Sequence, residues 1–316
     1  KSRLSALHAI SQCLQCALAV KIYGTDLTEE GAVDTKQNEK NLPRRSFLKQ
    51  TGLVAGGIGI GAVGLNAALQ ADTTEDAVAP EWPWPYEKLD VELVRKRGHM
   101  YYYKGGCMYG ASGGLLSVLI DEIGYPYTTF PHDMMRYGGG GISGWGTVCG
   151  SLNGACAIIT LIAGKDYGKV TNELMAWYGT TPFPSEAANR YAANHEYLVK
   201  EYKSDAVLPT TISNSPLCHV SVNTWCRTTG FASGSSQRAE RCARLTGDVA
   251  AKAAELLNAH AAGTFVAGGF EKNECTSCHF MGENYESGQF IIGKGTNCTD
   301  CHGADPHLDI ELLDTT

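Results

Sequence analysis

The chain has 316 residues, of which 43% are hydrophobic, 19% are charged and twelve are cysteines. This composition allows a buried core, and the length allows one or two domains of roughly 100 to 200 residues each. From residue 72 onward there are 28 acidic residues against 18 basic ones, a net charge of −10, which argues against nucleic acid as a partner. The same acidity favours docking to basic redox proteins.

Residues 43–49 read PRRSFLK and begin a pattern typical of a twin-arginine export signal. A Gly/Ala-rich apolar run follows at 51–71, and then the acidic DTTEDA. We interpret residues 1–71 as an upstream extension and signal peptide, cleaved after Ala71 or alternatively after Ala79, and predict a periplasmic protein. An uncleaved membrane anchor is the alternative, because about 20 residues can span a bilayer. The many glycines make the run a poor span, so we expect no stable membrane insertion after cleavage.

The mature chain is predicted to be mainly α-helical. Residues 72–90 are acidic and Pro-rich and form an extended lead-in. Apolar residues then recur every three to four positions from Leu115 to Ile123, and Gly124 with Pro126 ends this helix.

Two further helices follow the glycine-rich loop RYGGGGISGWGTVCG, in TVCGSLNGACAIITLIAG and in KVTNELMAWYG. The clearest helix spans residues 239–261, and His260 lies at the end of its apolar stripe. We therefore predict a helical, cysteine-rich domain at 91–262 and a short, loop-rich segment at 263–316. This segment has too few large aliphatic residues to bury a core by itself, so a cofactor must supply one.

The C-terminal segment carries the motif Cys-x-x-Cys-His twice. Two thiols three residues apart can add to the vinyl groups of a haem, while the histidine that follows binds its iron. A four-thiolate zinc site and a redox dithiol are alternatives. The doubled motif and the export signal favour two haem c groups per chain, held by Cys275, Cys278, His279, Cys298, Cys301 and His302.

The second axial ligand decides whether each haem iron has an open site. We predict His260, which ends a helix 15 residues before Cys275, so that its ring can face a haem. Two other histidines are candidates. His307 follows the second motif closely, and His99 precedes the aromatic run MYYYKGGC.

Six cysteines remain in the helical domain. Buried free thiols or disulfides are one interpretation, since cysteine packs as a small hydrophobe. Six within about 136 residues, several of them beside glycines, instead favour an iron–sulfur cluster, which needs four thiolates. They are Cys107, Cys149, Cys156, Cys218, Cys226 and Cys242.

The elements GGCMYGA, FPHDMM, VCGSLNG, TWCR and RCARLTGDVAAKAAELLN resemble the C_GCAxxG_C_C redox-active domain. Joined to two Cys-x-x-Cys-His motifs behind a twin-arginine signal, they make residues 99–307 resemble the split-Soret cytochromes c of sulfate-reducing and related anaerobic bacteria. Ser151 stands where this motif usually has alanine.

The resemblance implies a homodimer with two closely stacked haems per chain, histidines on both faces of each haem, and an additional iron–sulfur centre. Carried over by motif, the cluster thiolates are Cys107, Cys149, Cys226 and Cys242, with Cys156 and Cys218 as alternative ligands.

We predict an electron carrier of anaerobic respiration that relays electrons between periplasmic redox proteins. The alternative is a redox enzyme in which a haem or the cluster offers an open site to nitrite, a peroxide or a sulfur compound. No set of catalytic side chains stands out. The glycine-rich loop lacks both the GxGxxG pattern after a strand and the P-loop lysine, so it does not indicate nucleotide binding.

Overall fold

A computed structural model describes residues 80–268, together with residues 298, 299 and 303. Within these residues the chain is helical, and β-pairing is limited to two isolated bridges, Val148 with Leu217 and Phe183 with Thr211. The prediction of a mainly α fold is therefore confirmed. The predicted export signal, the first haem motif, most of the second one, and His307 lie outside the described residues.

Six α-helices and three short 3-10 helices make up the described part. None of these helices combines the length and the hydrophobicity that crossing a bilayer requires. The 3-10 helices are Tyr127–Thr129, His132–Gly138 and Gly164–Asp166. The α-helices are α1 (Val91–Glu122), α2 (Gly150–Ala163), α3 (Tyr167–Thr180), α4 (Glu186–Ala193), α5 (Cys218–Thr229) and α6 (Ser236–Ala261).

Side-chain caps set where the two longest helices begin. The carboxylate of Asp90 accepts hydrogen bonds from the backbone N–H groups of Glu92 and Leu93 and starts α1. The apolar stripe that begins at Leu115 is therefore only the second half of this helix. The hydroxyl of Ser235 caps α6 in the same way.

Helices α1 and α6 pack along each other, and α2 packs against both. Glycines at the crossing of α1 and α6 let the two backbones approach. A Cβ atom on Gly98 would lie 3.1 Å from the Cα atom of Gly247, and one on Gly247 would lie 2.6 Å from the carbonyl oxygen of Arg95. Aliphatic side chains of α1, α2 and α6 form the core beside this crossing, including Leu115, Leu119, Leu152, Ile158, Ile159, Leu245, Val249 and Leu257.

A buried network of charged side chains also joins α1 to α6. Nε2 of His99 lies 2.8 Å from Oε1 of Glu240, and Nε of Arg244 donates to the same oxygen at 3.1 Å. Arg95 forms an ion pair with the buried carboxylate of Asp248. Every charge in this network has a partner of opposite sign, which is the condition under which proteins tolerate buried charges.

We expect the free energy of unfolding to decrease as the pH falls below about 6.5. Burial lowers the pKa of His99 below its ordinary value of 6.5, so the unfolded chain binds a proton that the folded chain does not. Stability therefore rises with pH through this range, by up to about 1.4 kcal/mol per pH unit for one proton.

His99→Gln tests this expectation because glutamine can still donate to Glu240 but does not titrate. Denaturant unfolding at several pH values should give a shallower slope for the variant. A residual slope is expected from His132, whose pKa is also lowered by burial. An unchanged slope would show that His99 does not carry the effect.

Candidate metal centre

Four cysteines from four helical elements line one small cavity. They are Cys107 on α1, Cys149 directly before α2, Cys218 at the start of α5 and Cys242 on α6. The rest of the wall mixes polar and apolar side chains: Ser151, Tyr178, Ser221, Val222, Arg241 and Leu245.

A kink in α1 places the first of these thiols. Gly106 has φ = 82° and ψ = −169°, a conformation that glycine adopts without the steric cost that a Cβ atom imposes. Cys107 follows the kink directly, and the backbone N–H of Gly140 donates a hydrogen bond to its sulfur. The sequence Gly-Gly-Cys is thus the local reason why a long helix bends at the cavity.

A short antiparallel contact brings Cys149 next to Cys218. The bridge between Val148 and Leu217 precedes both cysteines. The N–H of Cys149 donates to the carbonyl of Pro216 at 2.9 Å, and the N–H of Cys218 donates to the carbonyl of Thr147 at 2.7 Å. The backbone therefore fixes two thiols that lie 69 positions apart in the chain.

The glycine-rich loop makes this contact possible. Gly141 has φ = 67°, and a Cβ atom there would lie 2.6 Å from the backbone nitrogen of Thr147 and 2.9 Å from the Cβ atom of Cys218. Only a residue without a side chain fits between these two neighbours. Gly141 thus lets the loop pack closely against Thr147 and Cys218.

Burial raises the pKa of two of the four cavity thiols. It raises the pKa of Cys107 far above the ordinary thiol value, and the nearby Cys149 and Cys242 raise it further. Burial likewise raises the pKa of Cys218 to about 12, with the same two neighbours acting in the same direction. These two thiols are neutral near pH 7 unless a cation occupies the cavity, because a bound metal deprotonates the thiols that coordinate it.

Cys226 and Cys156 lie outside the cavity wall. Cys226 is eight residues beyond Cys218 on α5, and Cys242 is the thiol that contributes to its raised pKa. Burial alone raises the pKa of Cys156 to about 12, and no other thiol contributes. The cavity thus contains three of the four thiols expected from the motif, namely Cys107, Cys149 and Cys242. Its fourth thiol is Cys218, which was expected only as an alternative, and not Cys226.

The thiols surround a space and do not converge on one point. Among the described residues, no group of three or more His, Cys, Asp or Glu side chains is arranged to hold a single metal ion. Four soft sulfur donors around one buried cavity are the donor set that iron–sulfur clusters use. The types of donor atom around the cavity therefore suit a metal centre held by thiolates.

Three polar residues of the wall were not identified from the sequence. Nη2 of Arg241 donates to Oγ of Ser221 at 2.9 Å, and the hydroxyl of Tyr178 lies 3.0 Å from the same oxygen and within hydrogen-bonding reach of Cys149. A signal was present, because Arg241 lies four positions before the buried Leu245, on the same helical face.

Two of the candidate distal haem ligands, His99 and His260, are among the described residues, and their environments differ. His99 is fully buried, stacks on Tyr197 with ring centroids 3.7 Å apart, and has its Nε2 atom bonded to Glu240. His99 therefore has a place in the α1–α6 interface, and its Nδ1 atom is buried without a hydrogen-bond partner.

His260 has the opposite environment. It lies on the last turn of α6 with its side chain 25% exposed, and its Nε2 atom is 3.6 Å from Oδ2 of Asp166. It borders an open surface pocket together with Lys169 and Phe265. The ring is therefore partly exposed at the end of α6, and the prediction that it binds a haem stays a prediction.

Comparison with known proteins identifies the family of this chain. A family model described as "Putative redox-active protein (C_GCAxxG_C_C)" matches residues 109–256. The split-Soret cytochrome c of Desulfovibrio desulfuricans is 39% identical over 227 residues, which cover 69% of this chain and 78% of that protein. A solved structure, described as showing a novel iron centre in the split-Soret cytochrome c from Desulfovibrio desulfuricans, matches with a TM-score of 0.58 and 35% identity, covering 70% of this chain and 90% of the other. The chain belongs to the split-Soret cytochrome c family.

Proposed function

We propose that this family member is a periplasmic electron carrier of anaerobic respiration, with two haem c groups and one iron–sulfur centre per chain, working as a homodimer. The single observation that carries the proposal is the cavity into which four helical elements each contribute one thiol. The relative with a solved structure is described as having an iron centre, which supports a metal in this cavity. When bound, the haems and the cluster supply one-electron oxidation and reduction.

The thiolates that hold the iron–sulfur centre are Cys107, Cys149, Cys218 and Cys242. Cys149 is 5% exposed, and the side chains of Tyr178 and Leu245 close the wall around it. Cys107, Cys218 and Cys242 are partly exposed, so nearby charges and hydrogen bonds are expected to act most strongly on the buried side of the centre, at Cys149.

The haems attach at the two Cys-x-x-Cys-His motifs, with His279 and His302 as the proximal ligands. His260 is the best-supported distal ligand, because its ring is accessible at the end of α6, and His307 is the other candidate. Histidines on both faces leave no open iron site, which supports an electron carrier in preference to an enzyme. The acidic mature chain supports basic redox proteins as partners.

Metal analysis and spectroscopy test the proposal on protein matured in a host that attaches haem c. We expect a chain mass increased by two haems, together with non-haem iron and acid-labile sulfide. Visible spectra of the oxidised and reduced protein should show low-spin haems that do not change with carbon monoxide. A high-spin fraction that binds carbon monoxide would contradict the electron-carrier proposal and favour the enzyme. Absence of non-haem iron and sulfide would contradict the cavity assignment.

His260→Ala is expected to leave one haem without its distal ligand. Part of the haem should then become high-spin and bind carbon monoxide, while the iron and sulfide of the cavity remain. His219→Ala is the matched control, since His219 is an exposed histidine on α5 whose ring contacts the side chain of Asn223. If both haems of His260→Ala stay low-spin, His260 is not a ligand.

A further inference from the structure

The cavity wall contains a buried positive charge. Arg241 is 1% exposed, and its side chain lines the cavity together with the four thiols. Nη2 donates to Oγ of Ser221 at 2.9 Å, whereas Nε is buried without a hydrogen-bond partner. Arginine stays protonated in proteins, so this guanidinium keeps its charge inside the fold.

The other arginines of the α1–α6 interface are neutralised by carboxylates. Arg95 pairs with Asp248 and Glu92, and Arg244 pairs with Glu240. Within the part of the chain that the structure describes, Arg241 forms no such ion pair. A buried charge without a counter-ion is unfavourable, so the positive charge of Arg241 favours a negatively charged group in the cavity.

The hydroxyl of Ser221 is a second hydrogen-bond donor in the cavity wall, next to Arg241. Its oxygen accepts from Arg241 and lies 3.0 Å from the hydroxyl of Tyr178, which donates to it. A serine hydroxyl has two acceptor lone pairs and one proton. With both lone pairs used, the proton is left for an acceptor inside the cavity. A sulfur atom of a thiolate centre is such an acceptor.

We propose that Arg241 is the permanent counter-charge of the thiolate centre and, with Ser221, raises the potential at which that centre accepts an electron. This inference rests on the iron–sulfur centre proposed above. One electron enters the centre and its negative charge increases by one unit, while no covalent bond changes and Arg241 keeps its protons. A fixed positive charge in the wall favours the reduced state, which is the more negative one.

Redox titration of variants tests the inference. Arg241→Gln removes the charge and keeps a polar side chain. Its ratio of reduced to oxidised centre, at a fixed solution potential, is expected to fall about tenfold, which is about 59 mV for one electron. Arg241→Lys keeps the charge and should retain most of the wild-type potential. Arg227→Gln removes an exposed charge on α5 and should leave the ratio unchanged, because solvent screens it.

Iron and sulfide content, measured on every variant, separates two kinds of failure. If the wild type contains no such centre, the proposed function fails and this inference fails with it. If Arg241→Gln carries the full centre at the wild-type potential, only the inference is overturned. An equal shift in Arg227→Gln would also overturn it, since the effect would then come from total charge. If Arg241→Gln folds poorly, the potentials of Arg241→Lys and Ser221→Ala test the inference instead. Arg241→Lys should keep most of the wild-type potential, and Ser221→Ala should have a lower one. An unchanged or raised potential in Ser221→Ala would overturn the inference.

Discussion

Cys218→Ala is expected to lose nearly all of the non-haem iron and acid-labile sulfide, whereas Cys226→Ala keeps them. Cys218 lines the cavity with three other thiols, and its backbone is held against Thr147 at 2.7 Å. Cys226 is eight residues further along the same helix, a distance of about 12 Å along the axis. Cys218 and Cys226 therefore cannot both bind one centre in this cavity unless α5 shifts relative to the other helices.

Comparing Cys218→Ala with Cys226→Ala is informative because each substitution removes one thiol from the same helix, α5. Both haems should remain attached in both variants, so the ratio of non-haem iron to haem is the quantity to measure. Cys156→Ala is a further control, since this buried thiol on α2 has no thiol neighbour that affects its pKa. Full retention of iron and sulfide in Cys218→Ala, with their loss in Cys226→Ala, would restore the ligand set expected from the motif.

Gly154→Ala is expected to lower the free energy of unfolding by more than about 3 kcal/mol. A Cβ atom at this position would lie 2.2 Å from the carbonyl oxygen of Met108 and 3.1 Å from the backbone nitrogen of Ser112. Both atoms belong to the backbone of α1, so they cannot turn aside as a flexible side chain does. The steric clash can be removed only if α1 and α2 move apart near Met108, the residue that follows Cys107.

Gly168→Ala is the matched control. Gly168 is also helical, on α3, but a Cβ atom added there would have no neighbouring atom within 4 Å. Alanine is favoured over glycine in helices, so this variant should be neutral or more stable by up to about 1 kcal/mol.

Thermal unfolding measures the difference between the two variants. For a domain of this size, about 3 kcal/mol corresponds to a decrease in Tm of roughly 6 to 12 °C. The iron content of Gly154→Ala should also fall, because its clash lies beside a cavity thiol. Equal Tm values for the two variants would show that α1 and α2 tolerate a wider separation than the structure indicates.

Helix α6 shows what periodicity can predict. Its apolar stripe was identified from the three-to-four spacing, and Leu245, Val249, Ala253 and Leu256 are all buried in the structure. The same spacing did not reveal that charged residues share the buried surface. Glu240 and Arg244 are fully buried, and only the pairing of α6 with α1 supplies the partners that make this possible.

The thiols show where prediction from sequence ends. The resemblance to the C_GCAxxG_C_C domain implied Cys107, Cys149 and Cys242 as ligands, and all three line the cavity. On α5 the motif favoured Cys226 and left Cys218 as an alternative, whereas Cys218 is the one that lines the cavity. The choice between them depends on the bridge from Val148 to Leu217, a contact between residues that are distant in the chain.

The sequence by itself determined the helical class and the two Cys-x-x-Cys-His motifs, because these depend on residue type and local spacing, and its resemblance to a known family indicated a cysteine-rich redox domain. Tertiary structure alone decided which thiol of α5 faces the cavity, that His99 is buried against Glu240, and that Arg241 is buried without a carboxylate. Each of these depends on how one helix is rotated and translated against another. Packing and the pairing of buried charges set that arrangement, and local sequence patterns do not encode it.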